Sequence, residues 1–503
     1  MLIPYSKSNV PRQQFINNEF IDVAGSQRFS LFNPKDGSLV ADDLPIAGTA
    51  DVDVAVKCAE DAFKTWRTTQ PANRRRMMLR LADLIEEHAD ILGELGRCTI
   101  GTSPSIAKLE ISSAVDGLRY YAGWIDKFTG EAIPQHDGFL KIVQHEPLGV
   151  TAGITPWNGP LIPIGMKAAP ALATGNCFIL KPSEKAPFSS LALGPLIKEA
   201  GFTPGVFQVL LGDGSTGALL ASHMRIRKIT FTGSSATGKK IQEMAAKSNL
   251  KRVTLELGGK SPAVVFDDCD IDNAVKWLVQ GITINTGQVC IASSRLYIQE
   301  GIYDKFVDEY AKAMKDAASA IGDPDDPATG LGPLADETQF ERVMSFIQKG
   351  VDGQGSLLVG GSRVGEKVRH PDNFPCRVLT IFQGFFVQPT AFTDVDAKSD
   401  IYKQEIFGPV AVLGKFANED EVIALSNDSE FGLMAGVFTR DINKAFRVAS
   451  AFETGTVGVN CMSLNFITAP FGGSKESGVG REGGRYGLEA FTETKTVMVN
   501  LTY

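Results

Sequence analysis

The chain is poor in the residues that build disulfide scaffolds and metal centres. Seven cysteines are spread over 503 residues, at 58, 98, 177, 269, 290, 376 and 461, with no pair at CxxC spacing. The odd number, the wide spacing and the chain length argue against a disulfide framework or a zinc site. Only five histidines occur and none stands in an HExxH string. No metal is therefore expected, and acid–base chemistry falls to a carboxylate or a lysine. No apolar run approaches the length of a membrane span. The opening MLIPYSKSNVPRQQFINNEF lacks the continuous apolar core of a signal peptide. Long Lys/Arg blocks are also missing, and the net charge is −8, which argues against a nucleic-acid partner. These absences predict a cytoplasmic protein without membrane or nucleic-acid partners.

What is present is an ordinary globular composition, 43% hydrophobic and 21% charged. The chain is too long for one simple core, so two or three domains are expected. Ala55, Cys58, Ala59, Ala62, Phe63 and Trp66 recur at helical spacing. A second helix is predicted to start near Pro71 and to carry Met78, Leu81, Leu84, Ile85 and Leu92. From 148 to 258 the pattern changes to strand–turn–helix. Predicted strands at 150–154, 177–180, 206–211, 229–231 and 253–257 alternate with helices near 190–200, 215–223 and 236–247. Apolar strands alternating with helices predict an α/β fold with parallel sheets covered on both faces, binding ligands beyond the strands' carboxyl ends. A second such series follows Gly258-Gly259, with strands near 263–266 and 295–299 and helices near 272–280 and 303–319. The Gly-rich segment 351–385 reads as an exposed excursion.

Several strings bear on chemistry, each with a bland alternative. Ile229-Thr-Phe-Thr-Gly-Ser234 runs from strand into helix, where backbone N–H groups can hold a phosphate or simply make a tight turn. Gly233-Ser-Ser-Ala-Thr-Gly238-Lys239 is one residue short of a P-loop: Lys240 stands where Ser or Thr would hold Mg²⁺. Lys181-Pro-Ser-Glu184 follows an apolar strand and reads as a ribose or phosphate contact or as a solvated loop. Asp268, Asp270 and Asp272 begin like a calcium loop, but Val279 stands where its Glu belongs, so helix capping is the better reading. Glu256 lies in an apolar strand and is either a carboxyl of raised pKa or a side chain pointing to water. Cys290 sits among small and polar residues, Asn285-Thr-Gly-Gln-Val-Cys290, yet a lone cysteine is more often a buried hydrophobe than a nucleophile.

Taken together, the strings resemble the aldehyde dehydrogenase superfamily. The matching segments are Thr155-Pro-Trp-Asn158, Lys181-Pro-Ser-Glu184, Phe231-Thr-Gly-Ser234, Leu255-Glu-Leu-Gly-Gly-Lys260, Gly287-Gln-Val-Cys290, Glu405-Ile-Phe-Gly-Pro409 and Pro470-Phe-Gly-Gly-Ser-Lys475, in the family's order. The resemblance implies two Rossmann-like parallel-sheet domains and a small β oligomerisation element. The cofactor domain would comprise 1–127 and 148–258, the catalytic domain 259–476, and the oligomerisation element 128–147 and 477–503. The tail at 494–502 alternates valine with polar residues like a strand, which fits a homodimer or homotetramer.

The resemblance also implies roles. Cys290 would attack an aldehyde, Asn158 and the Cys290 N–H would hold the oxyanion, and Glu256 would activate water, with Lys167 near that relay. Trp157 and Ser234 would contact a pyrophosphate, with Gly212, Gly214 and Gly233 allowing close approach. Lys181 and Glu184 would hold the adenosine ribose, and Glu405 and Phe407 would sit at the nicotinamide end. Ser183, Phe231, Thr232 and Leu257 also fall on the cofactor side. NAD is the expected cofactor, with NADP possible. Gly159, Pro163, Met166, Val289, Ile291, Asn465 and Phe471 match substrate-tunnel positions. Gly159 stands where relatives often carry an aromatic, so a widened tunnel for a bulky, uncharged aldehyde is expected. A CoA-acylating dehydrogenase is an alternative that would share Cys290 but need no water-activating base. A non-catalytic protein reusing the fold is another. Glu256 argues against the first, and intact Cys290, Glu256 and Asn158 against the second.

Overall fold

The structure, a computed structural model, describes residues 9–23, 27–365 and 384–502. Two parallel-centred sheets dominate it. The first has eight strands, and its centre runs Phe207–Val209, Cys177–Lys181, Val150–Ile154, Lys228–Thr232, Arg252–Glu256, all parallel. Their side chains are buried apart from the start of Arg252–Glu256 and the far end of Lys228–Thr232, as strands covered on both faces must be. The second sheet has seven strands, in the order Ser356–Val359, Thr390–Thr393, Val410–Phe416, Ser293–Gln299, Ser261–Val265, Met434–Phe438, Thr456–Val459. Only its first strand is antiparallel. The two Rossmann-like series read from the sequence are thus two separate sheets.

The helices follow their punctuation. Thr49–Trp66 begins where the Asp51 carboxylate accepts the Gly48 N–H at 2.8 Å, and it buries Ala55, Val56, Ala59, Ala62 and Trp66. Pro71 opens Pro71–Glu87 as expected. Leu92, however, belongs to a separate helix, Ala89–Ile100. His88 breaks the run with φ −111° and ψ 20°, and its ring nitrogen Nδ1 lies 2.7 Å from the Leu84 carbonyl oxygen. Asp270 caps Ile271–Thr283 by accepting the Asn273 N–H, whereas Asp268 accepts the Thr439 hydroxyl at 2.8 Å.

A third sheet is antiparallel: Thr492–Asn500 pairs along its length with Phe139–Pro147, which pairs with Glu131–Ile133. Thr492–Asn500 is one of its two edge strands, with Val497, Met498 and Val499 exposed. Of the 351–385 segment, Ser356–Val359 forms a sheet edge; 366–383, with Cys376, lie outside the described residues. Among the described residues no helix is long and apolar enough to cross a membrane.

Candidate active site

A cavity of about 1560 Å³ opens beyond the carboxyl ends of the first sheet's central strands. Its walls include Ile154, Lys181, Thr232 and Leu257, each at or just past a strand end. Glu405, Phe407 and Cys290 close it from the second sheet's side. Of the positions expected to contact a dinucleotide, Trp157, Lys181, Ser183, Glu184, Gly214, Phe231, Thr232, Gly233, Ser234, Leu257, Glu405 and Phe407 all line this cavity. Gly212 does not line it. It has φ +156°, and a Cβ there would stand 2.0 Å from the Thr216 hydroxyl, so its bare backbone serves the turn into the helix Gly214–Ser222.

The walls suit a dinucleotide. Ser234 caps the helix Ser235–Ser248 by accepting the Thr237 N–H at 3.3 Å, which leaves a helix start at the cavity. A Cβ on Gly233 would stand 2.5 Å from the Phe231 ring, so no side chain fits between them. The Gly238 of the near-P-loop is bare for packing, since a Cβ would meet Leu257 at 2.6 Å. Lys181 is buried, with Nζ 3.4 Å from a Glu184 carboxylate oxygen. Burial pulls the Lys181 pKa down, while Glu184 and Asp213 push it up. At the far end, the Glu405 carboxylate accepts the Gly259 N–H at 2.9 Å. Burial lifts Glu405 to about 7, against the Gly259 N–H, Arg342 and Lys260. Phe407 holds a left-handed φ of +62°, and its ring meets Trp157 edge-on at 5.3 Å.

Cys290 follows three consecutive left-handed residues, Asn285 (φ 49°), Thr286 (φ 55°) and Gly287 (φ 70°). Such a run is costly for the first two and persists only when tied down. The Asn285 side chain donates to the Asn158 carbonyl at 2.9 Å, and the Thr286 hydroxyl donates to the Gly332 carbonyl at 2.9 Å. The Gln288 amide donates to the Asn285 carbonyl at 3.1 Å and accepts the Ala335 N–H at 2.9 Å. Gly287 admits no side chain, because a Cβ would fall 2.2 Å from Gly408. Asn158 is held in turn: its side-chain nitrogen donates to the Gln288 carbonyl at 2.8 Å, which leaves its second N–H free of that bond. Burial pushes the Cys290 thiol up to about 12, with Glu405 and Glu256 adding to the rise.

Glu256, at the end of its strand, is only 4% exposed, so the reading in which it points to water is excluded. Neither carboxyl oxygen has a hydrogen-bond partner among the described residues. Burial first, then Glu482, raises its pKa well above the ordinary value; Lys167 and Arg481 oppose this. A Cβ on Gly472 would come within 2.7 Å of the carboxyl, so only glycine leaves room there. Lys167 lies in the turn Ile164–Ala168 and ion-pairs with Glu482 at 2.5 Å. It also donates to the Thr230 hydroxyl at 3.1 Å, which donates to Glu482 at 2.7 Å. Glu482, Thr230 and Arg481 were not singled out from the sequence. The available signal was Gly480-Arg-Glu-Gly-Gly484, two opposite charges inside a glycine turn.

On the other side of Cys290 an apolar group is formed by Met166, Leu433 and Phe471, with Ile162, Ile291 and Ile467 against it. Met166, Ile291 and Phe471, three of the expected tunnel positions, thus lie in the group beside Cys290. Val289 packs into the core of the second sheet instead, Pro163 is buried ahead of the Ile164–Ala168 turn, and Asn465 is exposed. Gly159 does not widen the space: a Cβ there would stand 2.8 Å from Cδ1 of Ile162, which fills the gap.

Comparison with known proteins agrees with this geometry. The model of the Aldehyde dehydrogenase family matches residues 20–497. An aldehyde dehydrogenase of Agaricus bisporus is 44% identical over 97% of this chain and 95% of its own. Human retinal dehydrogenase 2 is 43% identical over 97% of this chain and 91% of its own. The structure of P. syringae indole-3-acetaldehyde dehydrogenase in complex with NAD⁺ and IAA superimposes with a TM-score of 0.92 at 36% identity, covering 98% of this chain and 97% of that one. With a family match over nearly its whole length and relatives above 40% identity, the chain belongs to the aldehyde dehydrogenase family.

Proposed function

We propose that Cys290 is the nucleophile of this enzyme, Glu256 its hydrolytic base, and Asn158 with the Cys290 N–H its oxyanion hole. Membership of the family makes the chain an NAD(P)⁺-dependent oxidoreductase that converts an aldehyde and water to a carboxylic acid. The observation that carries the assignment is the place of Cys290. Among the described residues it alone is shared by the dinucleotide-sized cavity and the apolar group of Met166, Leu433 and Phe471. A sulfur there reaches a substrate on one side and an electron acceptor on the other.

The steps follow from the residues. Cys290 loses its proton to water in the cavity it lines, and its sulfur adds to the aldehyde carbon as the C=O π bond breaks. The carbonyl oxygen becomes an oxyanion, stabilised by the free Asn158 N–H and the Cys290 backbone N–H. A dinucleotide held in this cavity would supply the two-electron acceptor; hydride lost from the thiohemiacetal carbon leaves a thioester on Cys290. Glu256 then takes a proton from water, the resulting hydroxide adds to the thioester, and the Cys290 thiolate leaves as the acid forms. Glu482, whose charge acts on Glu256 and which ion-pairs with Lys167, would take the proton onward. Trp157, Lys181, Ser183, Glu184, Phe231, Thr232, Gly233, Ser234, Leu257, Glu405 and Phe407 would hold the dinucleotide. Cys290→Ala tests the nucleophile: aldehyde-dependent NADH formation should be lost while NAD⁺ still binds.

NAD⁺ is the preferred acceptor in this reading. Glu184 and Asp213 both face the cavity near Lys181, so a 2′-phosphate would meet two carboxylates and one lysine. Wild-type enzyme is expected to show kcat/KM about tenfold or more in favour of NAD⁺. Glu184→Gln should narrow the ratio. A higher kcat/KM with NADP⁺ would refute the preference.

The substrate is an uncharged, apolar aldehyde larger than acetaldehyde. The apolar group beside Cys290 offers Met166, Leu433 and Phe471 as contact surface, and two relatives are named for retinal and indole-3-acetaldehyde. Ile162, not Gly159, sets the width. Ile162→Ala should shift kcat/KM toward aromatic over short aldehydes by about tenfold, since removing buried methyl groups changes contact by roughly 1–3 kcal/mol. An unchanged ratio would remove Ile162 from the pocket.

The assembly reading is a cytoplasmic homodimer or homotetramer joined through the third sheet. Its support is the edge strand Thr492–Asn500, which exposes Val497, Met498 and Val499. The proposed cofactor and catalytic domains meet at 259, between Arg252–Glu256 of the first sheet and Ser261–Val265 of the second. Gly478–Val479 pairs with Leu255 and Glu256, so the oligomerisation tail is better drawn after it than at 477.

A further inference from the structure

Lys185 follows Glu184 directly but does not line the cavity. Its ammonium forms an ion pair with Asp336 and lies 5.4 Å from the centre of the Trp157 ring. Asp336 belongs to the opposite side of the cleft. It caps the helix Glu337–Lys349, accepting the Gln339 N–H at 2.8 Å. The same helix carries the far end of the cavity: the Gln339 side chain donates to the Phe407 carbonyl at 2.6 Å, and Arg342 donates to the Glu405 carbonyl at 2.5 Å. Trp157 touches both sides, meeting Phe407 edge-on at 5.3 Å and packing with Ile100, Ala186 and Ala335.

The geometry points to Lys185 as a positioning residue that latches the cofactor cleft: its bond to Asp336 ties the Trp157 wall to the helix holding Glu405 and Phe407, and so sets how fast the dinucleotide leaves. The inference rests on the proposed seating of the dinucleotide in this cavity. Lys185 combines two attractions, an ion pair across the cleft and a cation over an aromatic face. Both partners are partly shielded, with side-chain exposures of 29% and 32%. The contribution is therefore modest, and it falls on release because opening the cleft separates the pair.

The experiment measures NADH release by stopped-flow fluorescence, displacing bound NADH with excess NAD⁺. Lys185→Met and Asp336→Asn should each speed release about three- to tenfold, the range of a partly shielded ion pair plus a cation–π contact. Asn keeps the helix cap, so Asp336→Asn separates the latch from helix stability. The double variant should be no faster than the faster single one. Lys185→Arg should release within about twofold of wild type. Raising the salt should speed release more in wild type than in Lys185→Met. Unchanged release in both single variants, or additive effects in the double, would overturn the latch. If wild type itself binds no NADH, it is the seating of the dinucleotide that fails.

Discussion

Cys290→Ala should lower aldehyde-dependent NADH formation by at least about 10⁴-fold, the scale on which loss of an attacking atom acts, while NAD⁺ still binds. The two halves of this expectation come from different parts of the structure. Among the described residues no other cysteine can replace the attacking sulfur: Cys58, Cys98, Cys177, Cys269 and Cys461 neither line the cavity nor belong to the apolar group beside Cys290. The cavity walls around Trp157, Lys181, Glu184, Gly233 and Glu405 do not depend on that sulfur. The turn that presents it is held through Asn285, Thr286 and Gln288, whose bonds alanine leaves in place. Steady-state assays with calorimetric titration of NAD⁺ check both halves. Activity within about 100-fold of wild type would remove Cys290 as nucleophile. The same thiol makes a second measurement informative. Burial lifts it to about 12, so iodoacetamide labelling of the free enzyme should keep rising past the ordinary thiol value of 9.0.

The fold was legible because its signals are local. The strand Val150–Ile154 falls on its predicted bounds, and the other central strands within two residues of theirs, because apolar runs between glycine-rich turns admit little else. Leu92 was assigned to the wrong helix because periodicity continues across His88 while the backbone does not. The site was legible where a residue type is costly in its setting, as with the carboxyl of Glu256 in an apolar strand. It was not legible where function depends on residues far apart in the chain. Glu482 reaches Lys167 across 315 positions, and no spacing rule connects them. Gly159 shows the converse limit. An absent side chain reads as space in a sequence, but Ile162, three residues on, occupies it. Val289 adjoins Cys290 yet packs into the second sheet, because adjacency does not fix the face.

Glu256→Gln should separate the two halves of the reaction. Glutamine has the same shape and cannot accept a proton from water. A pre-steady-state burst of NADH near one per site should therefore survive while steady turnover falls about 10²- to 10³-fold, the usual worth of a general base. The buried position carries a cost of its own: neither carboxyl oxygen has a partner among the described residues, so the amide introduces donors that also lack one. That costs roughly 1–3 kcal/mol of stability and should appear as a lower Tm, not as a smaller burst. The pH dependence supplies the sign. Burial raises the Glu256 pKa, so the active carboxylate is gained as pH rises through a midpoint above 4.5, and thioester hydrolysis should rise with it. Glu256→Gln should erase that limb. Glu482 is the second cause of the rise, so Glu482→Gln removes a like charge and should move the limb toward acid. Burst and steady rate falling together in Glu256→Gln would place the residue before thioester formation, as the base that takes the Cys290 proton. A limb that stays in place in that variant would assign the titration to another group.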